Sequence, residues 1–194
     1  MKFFLSLLFA FTIIISANAQ TENTFPIDES GKFIQYEIVN STSKIDLLQA
    51  RANEFIKKKS KTLKLKKSQS DTVIMATGKF VINKTLLVMS RPSGEVIYHF
   101  QVEIKEGKYR FWLTDFKFIP YMRDRYGNFV PSTTVGLPLE NNPGKLNAGE
   151  WKEYKTQTFK FAKEFAVEFK NEMANATPPI TVKPVEKKVV KKEW

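Results

Sequence analysis

Few side chains in this sequence are equipped for catalysis. Cysteine is absent and His99 is the sole histidine, so the chain by itself offers no thiolate nucleophile, disulfide, iron–sulfur cluster or Cys/His zinc site. His99 stands alone within its segment, without the His/Asp/Glu neighbours that metal binding needs, and reads as a structural or exposed histidine. Asp115 and Asp124 are the carboxylates a hydrolase of glycan or peptide would use, provided a second carboxyl group converges to about 5–10 Å across a groove. No G-x-S-x-G elbow, H-E-x-x-H helix or phosphate-cradling glycine loop occurs. No catalytic residue is assigned, and neither a metal nor a cofactor is called for.

Groups suited to binding are better represented. Trp112, Phe116 and Phe118 alternate along one stretch, opposite in phase to Phe111 and Leu113, with Arg110 and Gln101 on the same side. If that side is uncovered, it forms an aromatic platform with polar flanks, suited to a sugar, a peptide or a partner loop. The alternative is that another segment folds across and buries it. Residues 121–129 add Tyr121, Arg123 and Arg125, types common at binding hot spots, although a turn at Tyr126-Gly127-Asn128 explains the segment equally well.

Charge is strongly positive, with 31 Lys+Arg against 20 Asp+Glu. Seven lysines (Lys57, Lys58, Lys59, Lys61, Lys64, Lys66 and Lys67) fall within eleven residues. Such a run can grip phosphates, acidic glycans or anionic headgroups. It also suits a solvated helix end and an edge strand, where lysines deter edge-to-edge pairing. Nucleic-acid recognition wants Arg forks or stacking aromatics among the cations, and this run has neither.

The elements that must position these groups follow from periodicity. Residues 43–59 and 151–173 lack Gly and Pro and carry apolar residues at helical spacing. Ile45, Leu48, Ala52, Phe55 and Ile56 line one helix, with Ser43 expected as its N-cap; Trp151, Tyr154, Phe161, Phe165 and Phe169 line the other. Strands are expected at 32–39, 62–67, 72–83, 95–105 and 108–118, with a turn at 68–71. Glu106-Gly107 is a two-residue hairpin loop, so Lys105 should face Lys108, Val102 Phe111, Phe100 Leu113, and Gln101 Trp112. The order is β-α-β-β-β-β-α. Its simplest solution is an α+β fold, a mostly antiparallel sheet with two helices on one face.

Several segments stand outside that plan. Residues 1–19 read as a secretory signal, with Lys2, an apolar run and Ala17-Asn18-Ala19 before Gln20. The apolar run is shorter than the ~20 residues a spanning helix needs, so export without an anchor is expected. Residues 20–30 read as a linker, 31–176 as the domain, and 177–194 as a flexible Lys/Pro-rich tail. Residues 120–149 hold four Pro and four Gly without either period and read as one long loop.

Gly31-Lys32-Phe33-Ile34-Gln35-Tyr36, Ser43-Lys44-Ile45, Ala50-Arg51-Ala52, Glu106-Gly107-Lys108-Tyr109-Arg110 and Thr114-Asp115-Phe116 together carry a resemblance. They resemble a bacterial exported domain-of-unknown-function family with a TBP-like fold (TBP being the TATA-box-binding protein). The resemblance implies a curved antiparallel sheet with helices on one side. It implies no catalytic residue, and fold alone does not import DNA binding. The functional expectation is a non-catalytic exported module that binds a protein or a cell-envelope ligand, including an anionic one, through Trp112, Phe116, Arg110, Gln101, Tyr121, Arg123 and Arg125. The alternative is an envelope hydrolase working through carboxylates. Electrostatic attachment to anionic surfaces through the lysine run and the tail is a third reading.

Overall fold

The computed structural model describes residues 25–66, 72–86, 89–141, 144 and 147–174. The signal segment, the turn at 68–71, Lys67 and the tail lie wholly or mostly outside the described residues. Strand β1 (Ile34–Asn40) leads into helix α1 (Ile45–Lys58), then β2 (Leu63–Leu65), β3 (Val73–Leu86), β4 (Met89–Lys105) and β5 (Lys108–Arg123). Two short strands follow, β6 (Phe129–Pro131) and β7 (Leu137–Pro138), before helix α2 (Ala148–Ala174). The sheet runs β1-β5-β4-β3-β2, all neighbours antiparallel, with β6 and β7 added beside β5.

Glu106-Gly107 sets the central register. Gly107 adopts φ 73°, which glycine accepts without a Cβ clash, and Lys105 faces Lys108, with Val102 opposite Phe111 and Gln101 opposite Trp112. Both helices cover the same side. Phe55 of α1 and Phe165 and Phe169 of α2 meet Phe100 and Phe111 mostly edge to face, at centroid separations from 4.8 to 6.4 Å. Burying each such ring is worth roughly 1.5–3 kcal/mol, so this aromatic cluster holds the two layers together.

Four expectations are corrected. First, alternation breaks at Asp115. Ile97 faces Lys117 but His99 faces Thr114, so Asp115 and Phe116 together oppose Tyr98, and Asp115 takes φ 58°. This bulge turns the rest of β5 over. Phe116 (0% exposed) and Phe118 therefore point into the core, not onto the expected platform. Second, the segment read as a linker contributes to the core: Phe25 stacks on Phe33 and packs against Phe116 and Phe159.

Third, residues 120–149 are not one long loop. β5 runs on to Arg123, β6 and β7 pair with it, and Leu139 is buried where its carbonyl accepts a hydrogen bond from Trp151 Nε1 at 3.0 Å. Fourth, the N-cap of α1 is Lys44, which makes no side-chain capping bond; Ser43 Oγ instead accepts from Arg51 Nη1 at 3.3 Å.

β4 also continues through Pro92-Ser93-Gly94. The register shifts between Ile82 and Asn83, and Asn83 lies opposite Pro92, which has no N–H to donate. Gln157 of α2 fills that gap: its Nε2 donates to Asn83 O at 2.7 Å and its Oε1 accepts from Asn83 N at 3.2 Å.

Candidate functional site

The uncovered side of the sheet can be read row by row from the pairing. One row runs Tyr36, Trp112, Gln101 and Met75; the next toward the hairpin turn is Ile38, Arg110, Glu103 and Val73. Tyr36 and Trp112 lie at 6.1 Å between centroids, and the Arg110 guanidinium sits 5.7 Å from the Trp112 ring. Arg110 Nε donates to Glu103 Oε2 at 2.7 Å, and Gln101 Nε2 donates to Glu103 Oε1 at 3.2 Å. Hydrogen bonds to Glu103 and to Tyr36 hold Arg110 firmly protonated. A cation over an indole, braced from behind by a carboxylate, is pre-oriented to meet a partner.

That row stays open. Ile38 is 61% exposed and Tyr36 43%, unusual for large apolar groups in mid-strand. Both helices lie on the far side. The segment after β6 reaches this side only at the other end of β5, where Gly136 sits so close to Lys117 that an added Cβ would come within 2.7 Å of the Lys117 Cβ. Ile119 and Glu95 are buried there.

Between the two ends lies a charged row. Asp115 is raised by burial, but hydrogen bonds from Lys117 (2.6 Å) and Lys32 (2.9 Å) outweigh that and keep its pKa low. His99 Nδ1 lies 3.7 Å from Asp115 Oδ2, and its Nε2 is 3.3 Å from Lys66 Nζ. Burial, then Lys66, push its pKa down despite Asp115. Asp115 thus serves as counter-charge to two lysines.

Asp124 is likewise occupied. Its Oδ1 accepts from Tyr126 N (2.8 Å) and Asn128 N (2.9 Å), and these turn contacts, Asn128 first, hold its carboxyl ionised. The turn reading of this segment is the one the structure adopts. No group of three or more His, Asp or Glu residues able to hold a metal occurs among the described residues.

The residues expected to bind are therefore divided. Trp112, Arg110 and Gln101 share the open face. Tyr121 and Arg123 lie at the other end of β5, around two adjoining cavities of about 550 and 380 Å³ that share Ser93 and Tyr121. Tyr121 donates to the buried Glu95 at 2.8 Å, and burial followed by that bond raises its pKa to about 12. Arg123 sits over Phe129, while Arg125 lies over Tyr126 on the turn. Phe116 joins neither group.

Sequence reading missed Tyr36 and Ile38 as members of the open face. Their alternation with Gln35 and Glu37, which face the core side opposite Leu113 and Phe111, disguises the orientation of β1.

Residues 37–119 match the family model described as a domain of unknown function (DUF4468) with TBP-like fold. Over that stretch the chain is similar to the DUF4468 family. Two solved structures share its architecture. A TBP-like protein from Parabacteroides distasonis ATCC 8503 is 16% identical with a TM-score of 0.57, over 77% of this chain and 97% of that one. A DUF4468 family protein from Bacteroides ovatus ATCC 8483 is 14% identical with a TM-score of 0.54, over 78% and 91%. At such identities the likeness concerns the fold. No curated protein matches the sequence. The DUF4468 match takes in the open-face residues from Ile38 through Trp112 and ends before Tyr121.

Proposed function

We propose that this protein is a non-catalytic recognition module of the bacterial cell envelope that binds a protein or envelope ligand through the open face of its sheet. The observation that carries this reading is the Tyr36–Trp112–Arg110 strip, left uncovered although it is rich in the residue types that dominate binding energy. Exposed Ile38 extends the strip, and Gln101 and Glu103 supply a polar flank. Export rests on residues 1–19, the expected signal. N-terminal sequencing of the native protein should begin at Gln20, and a retained Met1 would refute export by that signal.

The test of the binding face compares wild type with a Trp112→Ala, Arg110→Ala double variant, each immobilised and exposed to envelope extract. The expected result is loss of the specifically retained component, with the unfolding midpoint changed little. Retention of the same component by both proteins would overturn the reading. The pairing of Asp115 with Lys32 and Lys117, and the place of Asp124 in a turn, favour the binding reading over the hydrolase alternative.

A further inference from the structure

Arg51 is 6% exposed and lies on the face of α1 that carries Leu48, Phe55 and Ile56. A guanidinium is always charged, and a buried charge normally finds a carboxylate because the penalty for leaving it unpaired is several kcal/mol. Among the described residues no carboxylate lies within ion-pair distance of Arg51. Its Nη1 donates to Met173 O at 2.7 Å and to Ser43 Oγ at 3.3 Å, while its Nε is buried without any partner.

This unsatisfied group borders a cavity of about 470 Å³. The walls are Asn40, Ser41, Thr42 and Ser43 of the β1–α1 connection, Gly107 of the β4–β5 turn, and the end of α2 at Met173 and Ala174. Ser41 N donates to Gly107 O at 2.9 Å, which fixes the two loops together. Three hydroxyls and one amide, all neutral, thus surround one charged group whose only counter-charge is the partial one on the C-terminal carbonyls of α2. The cavity also adjoins the N-terminal end of α1, a 14-residue helix whose N-cap contributes no side-chain bond. The first-turn N–H groups of such a helix favour an anion.

We propose that this cavity is a binding site for a small oxyanion, a phosphate or carboxylate group, with Arg51 as its charged anchor and the hydroxyls of Ser41, Thr42 and Ser43 as further donors. The oxyanion supplies the full counter-charge that the helix-end carbonyls give the guanidinium only in part. The site is separate from the Trp112 face, so either assignment can fail without the other.

The experiment follows the Arg51 Nε–Hε signal and the backbone amides of Ser41–Ser43 by ¹⁵N NMR. Full-length protein is titrated with inorganic phosphate, with acetate, and with sodium chloride at matched ionic strength. Phosphate, acetate or both should shift these signals saturably while chloride does not, and the responding arm identifies the preferred oxyanion. Thr42→Val, which leaves the Arg51 contacts in place, should weaken binding about three- to tenfold, the loss of one hydrogen bond. Arg51→Met should abolish the oxyanion-dependent rise in melting temperature. Should Arg51→Met not fold, the wild-type titration and Thr42→Val decide the matter. Equal shifts with chloride, no saturable shift at Arg51, or a Thr42→Val affinity equal to wild type would overturn the assignment.

Discussion

One residue, Asp115, sorts the aromatic side chains of β5 into two jobs. Before it, Trp112 faces outward; after it, Phe116 faces inward against Phe25 and Tyr98. Phe116→Ala should therefore cost about 3–5 kcal/mol of stability, as a full-size core ring does, whereas Trp112→Ala should cost about 1 kcal/mol or less. Urea unfolding of the two variants measures both, and equal losses would contradict the bulge. The switch was legible only in part. Apolar residues change from odd positions (Phe111, Leu113) to even ones (Phe116, Phe118), with polar Thr114-Asp115 between. Trp112 sits at an even position, so a period of two can be drawn straight through from Trp112 to Phe118. The sequence alone does not say which side of the break Trp112 belongs to. Asp in a left-handed conformation gives no stronger signal, being only one of several residue types that tolerate it.

At the scale of elements, β3 and β4 are held close by residues that have no side chain to spare. A Cβ on Gly78 would fall 2.2 Å from Tyr98 Cζ, and that ring is buried between Phe80, Phe116, Phe161 and Phe165. Gly78→Ala should lower stability by about 1–3 kcal/mol through overpacking, seen as a lower denaturant midpoint at unchanged slope. The helices and the central hairpin were readable, because their burial periods are uninterrupted and Glu106-Gly107 pins the register. The end of β4 and the strands β6 and β7 were not. Pro92 and the Pro/Gly-rich stretch punctuate the sequence, but backbone partners from elsewhere (Gln157 and β5) keep those segments in extended pairing. Such partners are invisible to local pattern.

Across the whole molecule, the lysine run divides its roles. Lys58 pairs with Glu172 and Lys59 with Glu168, tying α1 to α2, while Lys66 meets His99 on the sheet. The charged row predicts acid lability. His99 has a folded pKa below its ordinary 6.5, so its contribution to stability is complete above that value and is lost as pH falls through the lowered folded pKa. Asp115, lowered from 3.8, loses its contribution later, as pH falls through its own folded value. His99→Gln should flatten the stability–pH curve as pH falls below 6.5, and Asp115→Asn should flatten it as pH falls below 3.8. Unchanged curves would contradict the pairing.

The claim on which the functional account rests is that the Tyr36–Trp112–Arg110 strip is the surface a partner occupies. It is tested most directly by placing a photo-crosslinking amino acid at position 112 in living cells, with a control at Lys160, an exposed residue of α2. The account predicts a discrete adduct from position 112 and none from position 160. No adduct at 112, or the same adducts from both positions, would contradict it.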